Sequence, residues 1–148
     1  MRRARRSGEM SSTYGGNPLS CAAALATIEV LLEEKLTENA VKVGSHILRR
    51  LREMQSSHEL IGDVRGRGLM IGVELVQDRR TKKPAKEEAK KIISRIFQRR
   101  VLVVPSGWSN HVLRVAPPLI ISTELADMAL EVLDEEMRTV EHDESMCR

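Results

Sequence analysis

Aromatic side chains are almost missing from this sequence. Tyr14, Phe97 and Trp108 are the only ones in 148 residues. That is too few to build a stacking platform for single-stranded nucleic acid. Cysteine is nearly as scarce, and Cys21 and Cys147 lie far apart. No disulfide framework or metal-ligand spacing emerges, which fits a reducing, cytoplasmic setting. The four histidines, His46, His58, His111 and His142, fall at no metal-binding interval, so no metal is expected. No uninterrupted apolar run reaches the ~18–20 residues of a membrane span. The stretch after Pro18 comes nearest, but Ser20, Thr27, Glu29, Glu33 and Glu34 break it, so no membrane partner is expected. Arg2, Arg3, Arg5 and Arg6 resemble the start of a secretory signal, yet no apolar core follows them. No Ser-His-Asp or Cys-His arrangement and no internal repeat is present. Within the chain no residue has the setting of an activated nucleophile, so no catalytic residue is assigned.

What remains describes one domain of ordinary size. Apolar residues make up 41% and charged residues 30%, enough for a core and a solvated surface. The net charge of +3 is small but unevenly spread. The basic arm at the start and the acid-rich end from Asp134 read as a solvated arm and a frayed tail. A weak nucleic-acid binder acting through that arm would lose affinity steeply with salt; no nucleic-acid partner is expected.

Asn17 suits an N-cap and Pro18 the first helical position, so a helix is predicted from there to about Lys35. Cys21 to Ala26 is small and apolar on every side, the mark of a helix buried on more than one face. A second helix is predicted over 37–55, with Val41, Gly44, Ile47, Leu48, Leu51 and Met54 on one stripe and His46 facing solvent. Glycines at 62, 66, 68 and 72 exclude a helix there, and the alternation of Leu69, Ile71, Val73 and Leu75 reads as a strand. Ala89, Ile92, Ile93, Ile96 and Phe97 mark a third helix. Two short strands, "VLVVP" and "HVLRVAPP", flank a turn, and a last helix starting near Ser122 buries Leu125, Met128, Ala129, Val132 and Leu133. This order predicts a small α+β domain with a short, mainly antiparallel sheet and helices packed on it. The first helix is too apolar for so small a domain to cover, so the chain reads as part of something larger.

Three segments carry candidate chemistry. "STYGGNP" combines hydroxyls, two glycines and a helix start, the ingredients of an anion site, and equally those of an ordinary capped turn. "RGRG" at Arg65–Gly68 is too short for an arginine–glycine nucleic-acid element and reads as a tight turn feeding a strand. Arg114 lies in "VLRVAPP" on the face shared by Val112 and Ala116. A guanidinium on an otherwise apolar strand needs an anionic partner, either a structural acid or a substrate.

"STYGGNPLSCAAALATIEVL", "IGDVRGRGLMIGVELV" and "VLVVPSG…NHVLRVAPPLIIS", in this order and at these distances, resemble the C-terminal third of class III aminotransferases, which depend on pyridoxal 5′-phosphate. The resemblance covers about residues 8–140. It implies the small C-terminal domain of a fold-type I enzyme, over 36–141, preceded by a basic arm and phosphate turn at 1–16, a linking helix at 17–35, and followed by a disordered tail at 142–148. It implies that Thr13, with its neighbour Ser12, holds the cofactor phosphate of the neighbouring subunit in a homodimer. It also implies that Arg114 binds the carboxylate of an amino acid or 2-oxo acid. The linking helix would be covered by the large domain, which accounts for its apolar surface. The family's cofactor-bearing lysine lies upstream of the Gly-Gly-Asn-Pro stretch, before Met1, so the chain alone is expected to be an inactive fragment. The alternative is a non-catalytic module that binds a parent enzyme or another protein through the apolar helix. Where the family has glycine before the "VLVVP" strand, this chain has Arg100, and a left-handed turn there would be strained.

Overall fold

The computed structural model describes residues 15–146. The chain divides into two units, 1–36 and 37–148. In the first, α1 spans Pro18–Glu33, close to the predicted bounds. Its start is built as the sequence predicts: Pro18 takes the first turn, and the Ser20 N–H donates to Asn17 Oδ1 at 3.2 Å. No residue of α1 is buried.

The second unit contains α2 (Leu36–Ser57, whose first residue belongs to the first unit), β1 (Ile61–Arg67), β2 (Met70–Asp78), β3 (Lys83–Pro84), α3 (Lys86–Gln98), β4 (Val104–Ser106), β5 (Val112–Val115) and α4 (Thr123–Met146). The sheet runs β1-β2-β5-β4, every pair antiparallel, with β3 a short addition to β2. It is the α+β architecture the sequence predicts.

One face of the sheet is the core. Val64, Val73 and Leu113 stand opposite one another across β1, β2 and β5, and all three are buried. Ile47, Leu51, Ile92, Ile96, Leu133 and Met137 from the helices join the same cluster. Fully burying side chains of this size contributes about 1.5–3 kcal/mol each before chain entropy is counted.

Several details depart from the sequence reading. In α2, Val43 is buried and Val41 is 63% exposed, because two residues along a helix turn the side chain about 200°. In α4 the buried stripe is Ala126, Leu130, Leu133, Met137 and Val140, whereas Leu125 and Met128 are exposed. The helix is turned by about one residue, which brings Glu136 inward to Arg95 of α3. The "RGRG" segment is mostly strand rather than turn: Arg65–Arg67 belong to β1, and the reversal lies at Gly68–Leu69. Finally α4 continues to Met146, past residue 142 where the tail was expected to begin.

Polar ties fasten the helices. His58 is fully buried, with Nδ1 2.7 Å from Glu141 Oε2 and Nε2 2.8 Å from Asp134 Oδ1, both on α4. His46 does not face solvent; its Nε2 lies 2.7 Å from Asp127 Oδ1. Arg99 adds ion pairs to Glu135 and Glu136.

Candidate functional site

The face of the sheet opposite the core carries the chemistry. Strand pairing places Arg65, Gly72, Arg114 and Val104 in one row across β1, β2, β5 and β4. Residues directly opposite in an antiparallel ladder point to the same face. The next row on that face holds Asp63, Glu74, Val112 and Ser106. Two arginines therefore flank a glycine, with two carboxylates one row away. The gap between the arginines exists because Gly72 has no side chain. A Cβ there would come within 3.3 Å of Val112 Cγ1.

The two arginines differ in what they touch. Arg65 Nη1 donates to Asp63 Oδ2 at 2.7 Å and to Glu74 Oε2 at 2.6 Å. Those hydrogen bonds, Asp63's first and then Glu74's, hold the Arg65 guanidinium above its ordinary pKa. Glu74 Oε1 lies 3.5 Å from His111 Nε2, and His111 Nδ1 is buried without a hydrogen-bond partner among the described residues. Arg114 is exposed and has neither a carboxylate nor a carbonyl partner among the described residues. The structural acid that the sequence left open as its partner is thus not found among them. What Arg114 offers is a planar, permanently charged fork able to take a carboxylate by two parallel hydrogen bonds.

Thr13 and Ser12, the other residues singled out, lie outside the described residues. The described part of that turn is Gly16, at φ 77, and the capped start of α1. Pro18 has no N–H and Ser20's is taken by Asn17, so the helix start keeps little capacity for an anion. Among the described residues, nothing lies within 4 Å of the place where a Cβ of Gly16 would stand.

Arg65, Gly72 and Glu74 escaped the sequence reading. The alternation of Asp63, Arg65 and Arg67 was the available signal, but the intervening glycines masked it by suggesting a turn.

The family model described as aminotransferase class III matches residues 1–137. The chain belongs to the class III aminotransferase family. Among curated relatives it is 44% identical over 126 residues to alanine–glyoxylate aminotransferase 2 homolog 2, mitochondrial, of Arabidopsis thaliana, covering 85% of this chain and 26% of that one. It is 46% identical over 129 residues to the leucine/methionine racemase of Thermococcus litoralis, covering 87% and 29%. An amine transaminase from an uncultivated Pseudomonas species, solved in its PLP-bound form, superposes with a TM-score of 0.81 at 31% identity, over 90% of this chain and 30% of that one. The chain therefore spans less than a third of the length of these relatives, and its fold is the one expected of a fold-type I small domain.

Proposed function

We propose that this segment is the small domain of a pyridoxal-phosphate-dependent enzyme that moves an amino group between an amino acid and a 2-oxo acid. The observation that carries the reading is Arg114, an arginine without an acidic partner among the described residues, on the open face of a sheet otherwise packed against helices. Its role is to hold the substrate carboxylate and so fix the amine in register for reaction. Thr13 and Ser12 would donate hydroxyl hydrogen bonds to the cofactor phosphate of a second subunit, which makes the working unit a homodimer. When bound, the cofactor supplies an electron sink for charge developing at the substrate α-carbon. No metal or nucleic acid enters this reading. Among the described residues no helix is long and apolar enough to cross a membrane. The exposed, unpaired Cys21 suits the reducing compartment we propose, the cytoplasm.

A second reading has a specific observation behind it. The leucine/methionine racemase relative is as similar as the aminotransferase relative. Both reactions begin with a carboxylate-anchored amino acid, so Arg114 serves either. The deciding assay uses a full-length enzyme carrying this segment. A single-enantiomer amino acid is supplied with and without a 2-oxo acid acceptor. Amino transfer that requires the acceptor supports the aminotransferase. Inversion at the α-carbon without an acceptor replaces it with the racemase.

A further inference from the structure

Glu74 is placed to reach either arginine of the open sheet face. It stands two positions along β2 from Gly72, and Gly72 is the residue opposite both Arg65 and Arg114. Glu74 is therefore a diagonal neighbour of Arg65 across one ladder and of Arg114 across the other. Diagonal pairs of this kind are within reach of long side chains. In the structure Glu74 takes Arg65, and Asp63 holds the same guanidinium nitrogen. Arg114 is left without an internal anion among the described residues.

From this arrangement we infer that Arg65 is a positioning residue for substrate binding: by engaging Glu74 it keeps that carboxylate from neutralising Arg114. The inference rests on the reading of Arg114 as the carboxylate anchor. Arg65 acts on charge placement rather than on packing, because its side chain is 55% exposed and its removal leaves no core cavity. Asp63 matters as a second clamp, since two acids divided between two arginines would otherwise leave neither free. His111 Nε2, just before β5, lies 3.5 Å from the other Glu74 oxygen, so the Arg65 pairing is what draws the carboxylate toward β1.

The test uses a full-length class III enzyme carrying this segment, with KM and kcat measured for an amino acid and for a primary amine lacking a carboxylate. Arg65→Gln frees Glu74 to pair with Arg114, so KM for the amino acid should rise roughly two- to fivefold, the size of one exposed ion pair. KM for the simple amine should stay as it was. Arg65→Lys keeps the charge and should behave like the parent. The decisive variant is the double change Arg65→Gln with Glu74→Gln, which removes the competitor and should restore the amino-acid KM. An unchanged KM in Arg65→Gln, or a double variant as impaired as the single one, overturns the inference. A loss shared by the simple amine also overturns it, because it marks a structural role. Arg114→Gln separates this failure from that of the underlying reading. If Arg114→Gln raises the amino-acid KM and Arg65→Gln does not, only the positioning role falls. If Arg114→Gln leaves that KM unchanged, the carboxylate anchor itself falls.

Discussion

Arg100 sits where the backbone wants glycine, and replacing it should stabilise the domain. Helix α3 closes with the Arg100 N–H donating to the Phe97 carbonyl at 2.9 Å and the Val101 N–H donating to the Ile96 carbonyl at 3.0 Å. That paired pattern is a Schellman ending, whose first residue beyond the cap adopts the left-handed conformation. Arg100 holds that position with φ 66. A residue with a Cβ pays roughly 1–2 kcal/mol for this conformation. Glycine avoids the strain but loses roughly 0.5–1 kcal/mol more chain entropy on folding. The Arg100 side chain is exposed and has no partner among the described residues, so nothing else is lost. Arg100→Gly should therefore gain ~0.5–1 kcal/mol. With a urea slope of ~2 kcal/mol per molar, the midpoint should rise by about 0.25–0.5 M. Arg100→Ala keeps the Cβ and should barely move the midpoint, and Arg100→Asn should fall between. A midpoint unchanged or lowered by glycine would refute the strain argument. An equal gain from alanine would point to the arginine charge instead.

Gly44 of α2 passes so close to Gly68 that an added Cβ would lie 2.1 Å from the Gly68 carbonyl oxygen. Gly44→Ala should cost ~1–3 kcal/mol, at the upper end because the obstacle is backbone, and chemical denaturation reads it directly. The Glu136 carboxyl is held below the usual glutamate range, chiefly by the Arg95 hydrogen bond and then by Arg99, and Asp127 is held low chiefly by His46. A depressed folded pKa contributes stability that is complete above the unfolded value and is lost as pH falls through the folded one. The denaturation midpoint should thus decline below about pH 4–5, and Arg95→Gln should flatten that decline. Thr13→Ala, in a full-length enzyme, should weaken retention of pyridoxal 5′-phosphate by roughly tenfold to a hundredfold, the worth of one hydrogen bond to a charged group. Equilibrium dialysis checks it, and unchanged retention would leave Thr13 a turn residue only.

The parts of the fold legible in the sequence were those fixed by local chemistry. The Asn17-Pro18 start of α1 and the apolar spacings of α2 and α3 are set within a few residues, and the helices form there. The strain at Arg100 was legible through the family resemblance, in which glycine stands at that position, and Arg100 does adopt a left-handed φ of 66. What escaped was of two kinds. The rotation of α4 was encoded in the helical spacing of Ala126, Leu130, Leu133, Met137 and Val140, but the neighbouring stripe through Leu125 and Met128 is apolar too and competed with it. Arg114 was visible as an isolated cation on an apolar strand. The Arg65–Glu74 pair beside it was not, because it exists only once β1 aligns on β2, where the glycines around Arg65 had suggested a turn.

The central claim is that Arg114 anchors a substrate carboxylate, and one ratio tests it. In a full-length enzyme carrying this segment, kcat/KM is measured for an amino acid and for a matched amine without the carboxylate, before and after Arg114→Lys. Lysine keeps the charge but loses the paired planar donors. A charged hydrogen bond contributes about 1.5–3 kcal/mol, so the amino-acid value should fall roughly tenfold to a hundredfold while the amine value holds. Equal losses for the two substrates would contradict the claim and make Arg114 a structural residue of the sheet.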